Sequence, residues 1–108
     1  MEVYSPATLN EALSILSEKR DGLYVLSGGT DLVIKIKERV IRPDALLDLS
    51  RIEELHFIRD EGNLIKIGSL TKIGELLDSS LIKDFARPLW EAAHVFGSPQ
   101  IRNLATIG

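Results

Sequence analysis

The run Leu23-Tyr24-Val25-Leu26 passes directly into Ser27-Gly28-Gly29-Thr30-Asp31-Leu32. Four consecutive apolar, β-prone residues read as a buried strand, and a pair of glycines at the end of a strand marks a sharp turn. The residues after that turn, Asp31 to Arg39, set Val33, Lys35 and Lys37 in alternation with Ile34 and Ile36, which is compatible with a strand. A short helix capped by Thr30 or Asp31 is preferred, because a strand of this kind is followed by a crossover. The glycine pair is therefore placed on a strand-to-helix turn.

Such a turn has a chemical use. Gly28 and Gly29 can take positive φ and carry no Cβ, so their backbone N–H groups can converge on an anion at close range without help from a basic side chain. No Lys or Arg stands among the residues immediately around them. Thr30 adds a hydroxyl donor, and the start of a following helix adds partial positive charge, so a diphosphate would suit the site. The same residues also make an ordinary tight turn, and both readings stand at this point. The Gly-Lys-Ser/Thr ending of a P-loop is absent, as is the Gly-x-Gly-x-x-Gly dinucleotide fingerprint.

The rest of the chain reads as a mixed α/β unit. A short strand is expected at Glu2 to Tyr4. Thr8 and Glu11 have capping-box spacing before a helix that carries Leu9, Ala12, Leu13, Ile15 and Leu16, and Asp21-Gly22 is expected to stop it. A strand is expected at Ala45 to Leu49, then a hairpin with strands near 56–59 and 64–68 around Glu61-Gly62-Asn63. Thr71 is expected to cap a helix through Ile73, Leu76 and Leu77, and Pro88 to sit in the first turn of another. The last stretch, Gly97 to Gly108, reads as loop.

A chain of 108 residues suffices for one domain or part of one, burying roughly 65% of its unfolded surface. With 44% hydrophobic and 27% charged residues it has the balance of a globular protein. Its net charge of −3, with Lys and Arg scattered singly, gives no reason to expect nucleic acid as a partner. There is no cysteine, so thiolate metal sites and disulfides are excluded, and His56 and His94 are too far apart for a local metal motif. Redox chemistry would need a bound cofactor. Neither a secretory signal nor a membrane-length apolar run is evident, and a cytoplasmic location is expected.

Other conspicuous residues invite chemistry less strongly. Trp90 and His94 stand four apart on an expected helix, as a packed aromatic beside a partly exposed imidazole would. Asp44, Asp48, Glu53 and Glu54 lie at the ends of apolar elements, where solvated charge is routine. Arg102 and Asn103 either contact a cofactor phosphate or brace the loop that holds them.

Two motifs taken together go further. Ser27-Gly28-Gly29-Thr30-Asp31-Leu32 near the start and Gln100-Ile101-Arg102-Asn103-Leu104-Ala105-Thr106-Ile107-Gly108 at the end resemble the flavin-binding subunit or domain of molybdenum hydroxylases, the family of xanthine dehydrogenase and carbon monoxide dehydrogenase medium subunits. There the first motif reads about Ala-Gly-Gly-Thr-Asp-Leu-Leu, with Ser27 replacing the small Ala. The second reads Gln-Ile-Arg-Asn-x-Ala-Thr-Ile-Gly-Gly-Asn. Between them Gly68 and Thr71 resemble the family's Gly-Ala-x-Thr turn. The resemblance covers essentially the whole chain.

It implies an α+β fold, the first subdomain of a PCMH-type (vanillyl-alcohol-oxidase-like) FAD-binding domain. Residues 1–108 are then the N-terminal part of that domain, with the sequence reaching Gly108 inside the second FAD-binding motif. Leu26, Ser27, Gly28, Gly29, Thr30, Asp31 and Leu32 would wrap the FAD diphosphate. Ala105, Thr106, Ile107 and Gly108 would form a second phosphate and flavin-facing loop, with Phe96 near the isoalloxazine. No residue is assigned acid-base or nucleophilic work. The implied role is electron relay from iron-sulfur clusters to NAD or another acceptor, with molybdopterin and the clusters on partner subunits and the remaining FAD-binding subdomain supplied by further chain. The isolated 108-residue piece is expected to be inactive. A different flavoenzyme of the same broad fold, such as a relative of UDP-N-acetylenolpyruvoylglucosamine reductase, and a cofactor-free assembly module are the alternatives.

Overall fold

The computed structural model describes residues 1–18 and 21–108, which fall into two compact units, 1–55 and 56–108. Both mix helix and strand, so the α+β reading holds.

The first unit is built on a parallel sheet of β1 (Glu2–Tyr4), β2 (Leu23–Leu26) and β3 (Ala45–Asp48), in the order β1-β3-β2. Parallel neighbours need crossovers. These are α1 (Leu9–Glu18) between β1 and β2, and α2 (Leu32–Lys37) between β2 and β3. Glu2 pairs with Ala45 on one side of β3, and Leu23 pairs with Ala45 on the other. The central strand takes the burial: Ala45, Leu46 and Leu47 are all buried, with Ile52 and Ala12. The buried strand expected at 23–26 is instead an edge. Leu23 and Leu26 are half-buried, whereas Tyr24 and Val25 are 37% and 45% exposed, because only one side of β2 finds a partner.

Local signals account for the helix boundaries. The Thr8 hydroxyl accepts from the N–H of Glu11 at 3.2 Å, starting α1 as its spacing predicts. The stop expected at Asp21-Gly22 falls just past Lys19 and Arg20, which lie outside the described residues. The segment after the glycines is helix and not strand, but its cap differs from expectation. Asp31 occupies the N-cap position without a side-chain capping bond, and its carboxylate reaches Lys35 Nζ at 2.8 Å.

The second unit opens with an antiparallel hairpin of β4 (Ile58–Asp60) and β5 (Ile65–Ile67), Ile58 opposite Ile67. Four helices follow: α3 (Ile73–Leu77), α4 (Ser80–Phe85), α5 (Arg87–His94) and α6 (Pro99–Arg102). Leu76, Ile82 and Ala93 form its core, with Ile58, Ile67, Ile73, Leu89 and Trp90 packed around them. Each fully buried Leu or Ile contributes about 1.5–3 kcal/mol. Trp90 Nε1 donates to the Leu77 carbonyl at 3.1 Å, and its ring stacks on His94 with centroids 5.3 Å apart, which fits a packing role for the pair.

Two expectations are corrected here. Thr71 is not the cap of α3; Lys72 holds that position, and the Glu75 carboxylate accepts from its N–H at 3.3 Å. Thr71 is fully buried and donates to the Phe57 carbonyl at 3.0 Å. The final stretch is not wholly loop. Ser98 accepts from the N–H of Ile101 at 3.2 Å, and Pro99 opens a one-turn helix.

Candidate functional site: two loops with different backbone donors

In the first unit, Leu26 closes β2 and Leu32 opens α2, leaving Ser27 to Asp31 as the turn. Leu26 is held by its carbonyl, which accepts from the Leu49 N–H at 3.0 Å. Gly29 is left-handed, with φ +80°, which favours glycine, and a Cβ there would press on Val33 Cγ2 at 3.1 Å. Gly28 is not among the left-handed glycines of the described residues. The Gly29 carbonyl accepts from Val33, and the Asp31 carbonyl from Lys35, each at 3.1 Å.

The carbonyls of Gly29 and Asp31 are thus engaged. Among the described residues, no acceptor is recorded for the N–H groups of Gly28, Gly29, Thr30, Asp31 or Leu32. Five successive backbone donors on a half-buried turn are what an anion needs. Since α2 has only six residues, these N–H groups rather than a long helix dipole would supply the attraction for an anion. The one carboxylate of the turn, Asp31, is paired with Lys35. The residues present therefore fit a diphosphate.

In the second unit, residues 105–108 run alongside 69–73. Thr106 lies in an antiparallel bridge with Lys72. The Ile73 N–H donates to the Ala105 carbonyl, the Ile107 N–H to Thr71 and the Gly108 N–H to Ser69, all at 2.9 Å, while the Ala105 N–H donates to Ile101 at 2.7 Å. Ala105 is buried, Thr106 half-buried, and Ile107 and Gly108 exposed. The N–H groups of Ala105, Ile107 and Gly108 are therefore already engaged within the chain. This stretch offers an apolar side chain, Ile107, and no cradle of N–H groups.

Phe96 lies just past α5 and is 44% exposed. It borders an apolar hollow of about 110 Å³ lined also by Ile73, Leu76, Leu89, Ala92 and Ala93. Arg102, left open between cofactor contact and brace, donates from Nε to the Phe96 carbonyl at 2.8 Å and from Nη2 to the His94 carbonyl at 2.6 Å. Thr71 and Ser69, whose carbonyls hold Ile107 and Gly108, were not singled out as site residues from sequence. Two of the acidic residues have backbone partners: Glu54 Oε1 accepts from the Leu9 N–H at 2.6 Å, and Asp48 Oδ1 from the Ser50 N–H at 3.0 Å.

A strand-turn-helix with five N–H groups that have no acceptor among the described residues has the donor pattern that suits the anionic part of a nucleotide cofactor. The family model described as "FAD binding domain in molybdopterin dehydrogenase" matches residues 1–108, and the chain belongs to that family. It is 43% identical over 108 residues to the nicotinate dehydrogenase FAD-subunit of Eubacterium barkeri, covering 99% of this chain and 36% of that protein. It is 36% identical over 107 residues to the carbon monoxide dehydrogenase medium chain of Hydrogenophaga pseudoflava, covering 99% of this chain and 37% of that one. The solved carbon monoxide dehydrogenase of the same organism, in a form lacking the Mo-pyranopterin moiety of its cofactor, superposes with a TM-score of 0.95 at 35% identity, over 100% of this chain and 38% of that one. The chain thus spans little more than a third of the relatives it matches. Among the described residues no helix is long and apolar enough to cross a membrane.

Proposed function

We propose that this chain binds FAD, with Leu26, Ser27, Gly28, Gly29, Thr30, Asp31 and Leu32 holding the diphosphate through backbone N–H groups. The observation that carries the proposal is the run of five N–H groups without acceptors from Gly28 to Leu32. Ala105, Thr106, Ile107, Gly108 and Phe96 are proposed to face the flavin. Their part is apolar contact and shape, since most of their N–H groups are engaged elsewhere.

Bound FAD supplies redox chemistry that no side chain here provides. The protein's share is to hold the cofactor and to exclude water around it. The proposed activity is that of the electron-relay component of a molybdenum-containing hydroxylase, passing reducing equivalents from iron-sulfur clusters to NAD or another acceptor. Molybdopterin-binding and iron-sulfur subunits are the proposed partners, a reading supported by family membership and by the relatives' names as FAD-subunit and medium chain. The proposal includes a cytoplasmic location, and further chain completing the flavin pocket, without which residues 1–108 are inactive.

The test is a fluorescence titration of the flavin-free protein, as the cell makes it, with FAD, riboflavin and ADP. FAD is expected to bind, ADP to compete with it, and riboflavin, which has no phosphate, to bind far more weakly. Riboflavin binding as tightly as FAD, or ADP failing to compete, would overturn the diphosphate assignment.

A further inference from the structure

We propose that Arg102 is a positioning residue for the flavin-facing stretch, acting through the backbone at the end of α5; this rests on the FAD reading above. The last turn of any helix leaves carbonyls without intrahelical donors. Here a single guanidinium serves one such carbonyl, that of His94 at 2.6 Å, together with the carbonyl of Phe96, just past α5, at 2.8 Å. Charge-assisted bonds of this length are strong, and the fixed fork of Arg reaches both acceptors at once, which a Lys ammonium on a flexible stem does not reproduce. The cation also lies where a helix C-terminus favours positive charge.

The brace links two pieces of the proposed flavin face. Phe96 is two residues beyond the end of α5 and contributes one of the bonded carbonyls. Arg102 itself is in α6, whose Ile101 carbonyl takes the N–H of Ala105 at 2.7 Å and so leads into residues 105–108. The turn between them is built for this closure. Gly97 is left-handed, with φ +55°, and a Cβ there would lie 2.9 Å from Ile101 Cγ2, so glycine lets the chain fold back over α6 without strain or a clash. The guanidinium thereby fixes Phe96 relative to Ile107 while leaving the diphosphate loop in the first unit untouched.

Arg102→Gln and Arg102→Lys in the flavin-free protein, as the cell makes it, test this by parallel titrations with FAD and with ADP, which lacks the flavin ring. FAD affinity is expected to fall on the order of tenfold in Arg102→Gln, with ADP affinity unchanged within about twofold. Arg102→Lys keeps the cation at the helix end and with it the fold, and is expected to lose FAD affinity in the same selective way. It decides the matter if the Gln variant fails to fold. FAD affinity equal to that of the unsubstituted protein, or a parallel loss for ADP, would overturn the inference and leave the FAD reading standing. Failure of the unsubstituted protein to bind FAD would overturn that reading and this inference with it.

Discussion

Gly28 to Leu32 and Ala105 to Gly108 are both short, glycine-containing stretches with a Thr, yet they place their backbone donors differently. Among the described residues the first leaves five successive N–H groups without an acceptor. The second donates from Ala105, Ile107 and Gly108 into Ile101, Thr71 and Ser69. The cause is position. The first stretch leaves a strand and turns into a helix, where the opening N–H groups have no preceding turn to bond to. The second lies beside another extended segment and completes a ladder. A glycine and a threonine in sequence therefore do not define an anion site; what the neighbouring backbone takes up does.

The sharpest way to break this comparison is Gly29→Val. At φ +80° any L side chain is strained, a β-branched one most, and its Cβ would start 3.1 Å from Val33 Cγ2. A strain of about 1–2 kcal/mol or more is relieved by rotating the turn, which scatters its N–H groups. FAD affinity is expected to fall at least about tenfold in a fluorescence titration. Unchanged affinity would show that the open donors are not where the diphosphate binds.

The second stretch calls for a stability experiment. Thr71 is fully buried, donates to Phe57 at 3.0 Å and, through its carbonyl, holds the N–H of Ile107 at 2.9 Å. Thr71→Val keeps the shape and removes only the hydroxyl. The Phe57 carbonyl retains the N–H of Gly68 at 2.8 Å, so no acceptor is orphaned. The expected loss is about 1 kcal/mol, read as a small fall in thermal midpoint, with ADP affinity unaltered. A loss of about 3 kcal/mol or more would mean that the side chain, and not the ladder, sets residues 105–108 in place.

Much of this was legible in the sequence where a local rule had a single outcome. The strand at Glu2 to Tyr4, the Thr8 cap, the hairpin around Glu61-Gly62-Asn63 and the strand-turn-helix at the glycines each follow from neighbours within a few residues. What escaped depends on distant partners. The sequence of Leu23-Tyr24-Val25-Leu26 is apolar enough for a central strand, but β3 takes that place and leaves β2 at an edge. Thr71 looks like a cap until Phe57 comes within reach of its hydroxyl. For α4 and α6 the signals were present, in Ser79 and in Ser98-Pro99. The candidate residues were nameable from the two motifs, but which of them still have free donors depends on hydrogen bonds between segments some 35 residues apart, such as Ile107 to Thr71.

The smallest effect is the most discriminating for the first loop. Asp31 is the one carboxylate in the turn, its side chain is 80% exposed, and it pairs with Lys35 at 2.8 Å. Exposed i,i+4 pairs are worth about 0.3–0.5 kcal/mol, so Asp31→Asn leaves stability nearly unchanged. For an anion held by backbone N–H groups the substitution removes a repelling charge and releases a cation. FAD affinity should then rise by about threefold or less at low salt, and the gain should vanish as the Debye length shrinks to about 3 Å at 1 M. A fall of about tenfold would instead mean that the carboxylate itself accepts a hydrogen bond from the ligand. The loop would then recognise its ligand by a side chain as well as by its backbone, and the contrast with residues 105–108 would rest on more than where the N–H groups point.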